Sequence, residues 1–241
     1  MKRFTTMLKY FSQYRWQGIA LSLAFVLTLA AAPARAHPHA WIDVRSTVVM
    51  SPTGMVSAIE QEWLFDELYS AAVLEQMTLD HPGKPQAATY FAPQVMENLE
   101  PYGYFMRVTA DNRPIKLQTV TQFASAMQGE QLRLSFTAAL ARPVDPVEQK
   151  LVFSVFDPTY FIHMSHLPDD SDPNANTPDT RLAAVESVAI KGAPSPACRT
   201  VLTPARPTPE IFARALALDK NAAPQEDLGV FFAEQVQVLC K

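Results

Sequence analysis

The sequence predicts an α+β domain, mostly antiparallel β and sandwich-like, with a two-helix insertion after the first hairpin and a helix near the carboxyl end. Two observations predict it. Short runs of alternating apolar and polar residues recur along the chain between Pro- and Asn-rich breaks. Segments with helical spacing fall in two places only, so strands and helices do not alternate as they do in a parallel α/β fold.

The first strand is predicted at residues 40–50 (AWIDVRSTVVM), with Trp41, Val44 and Val48 among its apolar positions. Ser51-Pro52-Thr53-Gly54 is a turn, and residues 55–65 return as the second strand of a hairpin. Asp66 is placed to cap a helix, with Glu67 near its positive start. That helix breaks at His81-Pro82-Gly83. A second one is expected within residues 86–99, where Phe91, Val95 and Leu99 have near-helical spacing and Pro93 belongs in the first turn. Strands are expected at 104–110, 115–123, 131–138 and 150–156. The breaks between them fall at Asn112-Arg113-Pro114 and from Arg142 to Pro146. A polar loop at 168–180 precedes strands at 183–190 and 199–202, a helix at 210–218 and a mixed segment from Leu228 to Cys240.

The amino end reads as an export address. Lys2, Arg3, Lys9 and Arg15 precede an uncharged apolar run at residues 19–32 (IALSLAFVLTLAAA), and Ala34-Arg35-Ala36 fits signal-peptidase preference. The run is shorter than the roughly 20 residues that span a bilayer. Cleavage after Ala36 makes His37 the first mature residue; cleavage after Ala34 leaves Arg35 first. Residues 37–241 are then expected to form a single periplasmic domain without a membrane span, with the 168–180 loop as a possible internal boundary. Removing residues 1–36 leaves 15 basic and 24 acidic residues, a formal charge of −9. This argues against nucleic acid and anionic membrane surfaces as partners. In an exported chain the two cysteines, Cys198 and Cys240, read as a disulfide.

Five histidines lie beyond the leader, four of them in the close pairs His37/His39 and His163/His166. Imidazole is a common transition-metal ligand, and short spacing allows chelation. His37 and His39 share a face if the chain is extended there. A free His37 would add its α-amine, a nitrogen set suited to Cu(II), Ni(II) or Zn(II). Pro38 has no amide hydrogen to lose, which excludes the square-planar mode that uses deprotonated backbone amides. His163 and His166 face apart on a strand and together on a helical turn. Asp66 and Asp157 are candidate oxygen ligands. Glu60 and Glu62 share a strand face, with Asp43 across the hairpin. The plain alternatives are a helix cap for Asp66, an Asp-Pro turn for Asp157 and a solvated sheet face for the two glutamates.

Asp170-x-Asp172-x-Asn174-x-Asn176 begins like a calcium loop but lacks the glycine at its sixth position and the glutamate at its twelfth. No phosphate loop, nucleophile elbow or H-E-x-x-H motif is present, so nothing indicates catalysis.

Several runs together resemble one family of exported bacterial proteins. They are His37-Pro38-His39-Ala40-Trp41-Ile42-Asp43, Glu62-Trp63-x-Phe65-Asp66-Glu67, Asn98-Leu99-x-x-Tyr102-x-Tyr104-Phe105, Phe156-Asp157-Pro158-Thr159-Tyr160-Phe161 and Phe232-Ala233-Glu234-x-Val236-x-Val238-x-Cys240. The chain resembles domain-of-unknown-function family 1007, whose members are labelled as the periplasmic component of an uncharacterised ABC-type transport system. The resemblance implies a periplasmic location and a link to divalent transition metals such as zinc, nickel or cobalt. His163 and His166 depart from the apolar or acidic stretch that usually follows the family's Asp-Pro-Thr-Tyr run. The expected function is a periplasmic metal-binding accessory or solute-binding protein serving a membrane metal transporter. The alternative is a structural adaptor that docks on a transporter and binds no metal.

Overall fold

The structure is a computed structural model that describes residues 40–166, 187–192, 198–217 and 227–241. The described residues build two packed sheets with a helical insertion, an α+β fold that is mostly β. The predicted leader, the whole 168–180 loop, and both His37 and His39 lie outside the described residues.

The first hairpin pairs β1 (Ala40–Met50) with β2 (Val56–Phe65). Strict alternation along β1 buries Ile42, Val44, Ser46, Val48 and Met50 and turns Trp41, Asp43 and Arg45 outward. Asp66 then caps α1 (Glu67–Asp80) by accepting the Tyr69 amide at 2.8 Å, as its short acceptor side chain suits. α2 (Phe91–Leu99) buries Phe91, Ala92, Met96 and Leu99 and follows a short 3-10 turn, so Pro93 does lie in its first turn.

Six further strands follow: β3 (Met106–Ala110), β4 (Arg113–Ile115), β5 (Phe123–Gln128), β6 (Gln131–Val144), β7 (Leu151–Val155) and β8 (Ile162–Ser165). Then come β9 (Val188–Lys191), β10 (Cys198–Thr203), α3 (Pro209–Leu216) and β11 (Gln235–Cys240). One sheet runs β5-β6-β2-β1-β8 with β9 also on β1; the other runs β10-β11-β7-β3-β4. Ser125 docks the helical insertion on β5, its hydroxyl donating to the Ala88 carbonyl and accepting the Ala92 amide. Between the sheets, Val44, Val48, Ile59, Trp63 and Leu134 are buried in one core with Val108, Leu151, Phe153 and Val236. Burial of each such side chain contributes roughly 1.5–3 kcal/mol.

Three details depart from the sequence reading. Residues 115–123 are not one strand: β4 ends at Ile115, β5 starts at Phe123, and the chain between them runs irregularly beside β6. The break expected from Arg142 to Pro146 begins only at Asp145, because β6 continues to Val144. Asn112 does turn the chain, but with Asp111 in a positive-φ pair (φ 51° and 62°) that closes a tight β3–β4 hairpin. The cysteines form the expected disulfide, tying edge strand β10 to β11 where Cys198 and Cys240 stand opposite each other. No helix among the described residues is long and apolar enough to cross a membrane.

Candidate functional site

Two clusters of polar groups stand out, and the predicted ligands divide between them. The first surrounds the start of β1. Trp41 donates its backbone amide to Asp66 Oδ2 at 2.9 Å, and the Asp66 amide donates to the Trp41 carbonyl. On the other side of β1, β8 runs parallel with Trp41 opposite His163 and Ala40 opposite Ile162. The Ile162 amide in turn donates to Asp157 Oδ2 at 3.0 Å. Asp66 on one side, and His163 and Asp157 on the β8 side, therefore flank the first residues of β1.

These carboxylates already hold local structure. Both Asp66 oxygens accept backbone amides. Buried Asp157 accepts from the Thr159 amide and hydroxyl as well as from Ile162, so it builds the Asp-Pro turn. Gly229 packs directly on the Asp157 carbonyl, where a Cβ would collide with backbone, so only glycine fits there. Asp66 also acts on Tyr69: burial first, and then the nearby carboxylate, raises the phenol above its usual range.

The second cluster is buried between the sheets and centres on His166. β8 ends at Ser165, so His163 and His166 point to opposite faces and do not form one site. His166 Nε2 lies 2.7 Å from Ser46 Oγ, and Nδ1 lies 3.1 Å from Glu234 Oε2. Glu234 also accepts the Ser165 hydroxyl and the His166 amide, each at 2.6 Å. Gln61 Nε2 donates to Ser46 Oγ at 2.8 Å, and Trp63 Nε1 donates to Gln61 Oε1 at 3.1 Å. Every side chain in this chain of bonds except Ser165 is at most 5% exposed.

The donor order assigns the protons. An indole N–H only donates, which fixes the Gln61 amide with its oxygen toward Trp63 and its nitrogen toward Ser46. The Ser46 hydroxyl then gives its hydrogen to His166 Nε2, and Nδ1–H donates to Glu234. Burial by itself pushes the Glu234 carboxyl up. Hydrogen bonding and electrostatic attraction from His166, with the Ser165 hydroxyl and the His166 amide, outweigh it and hold the group below the ordinary glutamate range.

This order resembles a serine–histidine–carboxylate triad, but the surroundings differ from an acyl-transfer site. Ser46 is 1% exposed, and the Gln61 amide occupies the space beside its Oγ. A cleft of about 500 Å³ is lined by Ser46 and Gln61 together with Arg45, Thr47, Glu60 and Glu62. Strand alternation places that cleft on the outer face, so Ser46 and Gln61 reach it through backbone while their side chains point the other way. The cleft floor carries ion pairs of Glu62 with Arg133 (3.2 Å) and Arg45 (3.8 Å), and of Glu60 with Lys191 (2.8 Å). The register puts Arg45, not Asp43, opposite Glu62, so cations rather than a third carboxylate face these glutamates.

A family model described as a protein of unknown function, DUF1007, matches residues 22–240. The chain belongs to the DUF1007 family. It is similar to a protein of Haemophilus influenzae described as uncharacterized, 28% identical over 214 residues that cover 86% of this chain and 92% of that protein.

In this DUF1007 chain four of the five runs that carried the resemblance contribute residues to the two clusters. Asp66 and the Asp157 turn brace the start of β1, while Trp63 and Glu234 begin and end the buried bonds. Of the six predicted metal ligands, Asp66, Asp157 and His163 lie at the first cluster and His166 at the second; His37 and His39 are outside the described residues. Among the described residues no three His, Cys, Asp or Glu side chains are grouped closely enough to hold a metal ion. Sequence reasoning did not single out Ser46 or Gln61, and it named Glu234 only within a run of the family resemblance, without a role. The available signal was phase: Ser46 falls in step with Val44 and Val48, and Gln61 with Ile59 and Trp63, so each puts a polar group among core positions.

Proposed function

We propose that the protein is an exported, periplasmic accessory or solute-binding protein that holds a divalent transition metal (Zn, Ni, Co or Cu) and serves a membrane metal transporter. His37 and His39 are the principal ligands of this reading. The observation that supports it is the arrangement around Trp41. His37 and His39 lie four and two positions before it, Asp66 accepts its amide, and His163 stands opposite it in register. One or two imidazoles arriving there need only His163 or a lone pair of Asp66 to complete a mixed nitrogen–oxygen site. His166 is not a ligand in this proposal, since its nitrogens are engaged by Ser46 and Glu234.

A second reading, a transporter-docking module that binds no metal, draws on a different observation. Asp66 and Asp157 are both engaged by amides, which gives each a complete structural role without metal. Isothermal titration of the dialysed chain starting at His37 separates the two. The metal reading expects about one Zn(II), Ni(II) or Cu(II) per chain, with binding lost in His37→Ala/His39→Ala. Unchanged binding in that variant removes the assigned ligands, and absence of binding leaves the docking module.

A further inference from the structure

The strands of the second sheet are unequally anchored. β3, β4, β7 and β11 each bury at least one apolar side chain in the core, among them Val108, Ile115, Phe153 and Val236. β10 has no fully buried position: all six residues are half-exposed or exposed, with Cys198 and Leu202 packed partly against the core. β10 is also an edge of the sheet, laddered to β11 from the Cys198–Cys240 pair to the Thr203–Gln235 pair. Its Thr200 hydroxyl donates to the Val188 carbonyl of β9 over a long 3.4 Å. Past Thr203 the chain stays exposed or half-exposed as far as Thr208, so it grips β10 weakly from that side. In a folded protein, segments with few buried contacts open first.

At β10 that opening is checked by a covalent bond. Cys198 is the first residue of β10 and Cys240 the last of β11, and they stand opposite each other, so the bridge closes the end of the ladder. The two positions are 42 residues apart, and a bridge across a loop of that length acts mainly by restricting the opened state. Both cysteines are half-exposed at the sheet edge, which leaves the bridge open to attack by a thiolate.

We infer that the Cys198–Cys240 bridge is a reducible latch on β10. A dithiol supplies the two electrons. One of its thiolates attacks a bridge sulfur, forming a mixed disulfide and releasing the other cysteine as a thiolate. The second sulfur of the dithiol then displaces the remaining cysteine. The bridge ends as two cysteine thiols, which take up the two protons of the dithiol, and the dithiol ends as its own disulfide. With the latch open, β10 leaves its ladder while the buried strands stay folded. The edge of β11 is then bared, with its backbone amides and carbonyls running beside buried Val236 and Val238. Such an edge is a template for an added strand, so closing the bridge also keeps it covered.

The inference stands apart from the metal reading, and its test runs with a chelator throughout. The chain starting at His37, which forms a compact unit of its own, is treated with dithiothreitol without denaturant. Free thiols are trapped with iodoacetamide, and hydrogen exchange is followed strand by strand. The expected result is two labelled cysteines and exchange in β10 faster by at least about tenfold, given what a bridge of this loop length contributes. Exchange in β3 and β7 should be unchanged. Glutathione disulfide, added in place of the trap, should restore the slow rates. Cys198→Ser/Cys240→Ser should reproduce the reduced pattern; the reduced wild type decides the matter even where that variant does not fold. Three results overturn the inference. One is a bridge that resists dithiothreitol until the chain is unfolded. Another is unchanged exchange in β10 after reduction. The third is loss of protection in all strands together, which makes the bridge a staple of the whole domain.

Discussion

Neighbouring residues on β1 and β2 meet two different electrostatic worlds. Arg45, Glu60 and Glu62 point outward into ion pairs with solvent beside them; Ser46 and Gln61, one position away, point inward and join His166 and Glu234. Outside, charges are opposed in a high-dielectric setting, where a pair is worth about 0–1 kcal/mol. Inside, fewer charges carry more consequence, because a group that loses its partner there has no water to replace it. The outer face thus tolerates change, and the inner bonds tie β1 and β2 of one sheet to Glu234, just ahead of β11 in the other.

Removing the carboxylate at the end of the inner chain should have the largest effect. Glu234→Ala strands the Ser165 hydroxyl, the His166 amide and the imidazole at once. It is expected to cost about 3 kcal/mol or more in urea unfolding, since each buried donor left without its acceptor costs about 1–3 kcal/mol. A cost near zero would mean that the network does not link the sheets.

Acid should reach the inner cluster selectively. The folded Glu234 carboxyl titrates below the ordinary glutamate range while the unfolded one does not, so its contribution is complete above the unfolded value, about 4.3. It is lost as pH falls through the lower folded value. Wild-type stability should therefore decline over that acidic window with a component missing from Glu234→Gln. Identical acid profiles would remove the linkage.

Ser46→Ala leaves Gln61 Nε2 and His166 Nε2 without their shared partner and should cost about 1–3 kcal/mol. Smallest of all is the outer face. Glu62→Gln, with Arg45 and Arg133 in place, should change stability by less than about 1 kcal/mol, and added salt should erase the difference. A loss as large as that of Ser46→Ala would abolish the distinction between the two faces.

The two faces also differ in what the sequence discloses. β1 and the Asp66 cap were legible because their signals are local: alternation over eleven residues, and one acceptor before a helix. β8 was not, since Ile162-His163-Met164-Ser165 has little pattern of its own and is a strand through its parallel partner β1. The inner network was hidden for the same reason. Ser46 and His166 are separated by 120 positions and His166 and Glu234 by 68, and only folding shows that three polar groups share one buried space. The irregular stretch between β4 and β5 follows likewise from its bonds to β6 and not from its own residues. The start of β1 was partly legible: Asp66, Asp157 and His163 were named as candidates, but the register that gathers them around Trp41 was not.

Metal binding is the claim on which the functional account rests. Titration of Zn(II), Ni(II) and Cu(II) into the dialysed chain starting at His37, in parallel with His37→Ala/His39→Ala, tests it directly. The account predicts about one ion per chain and loss of binding in the variant; no binding, or binding that survives the double substitution, contradicts it.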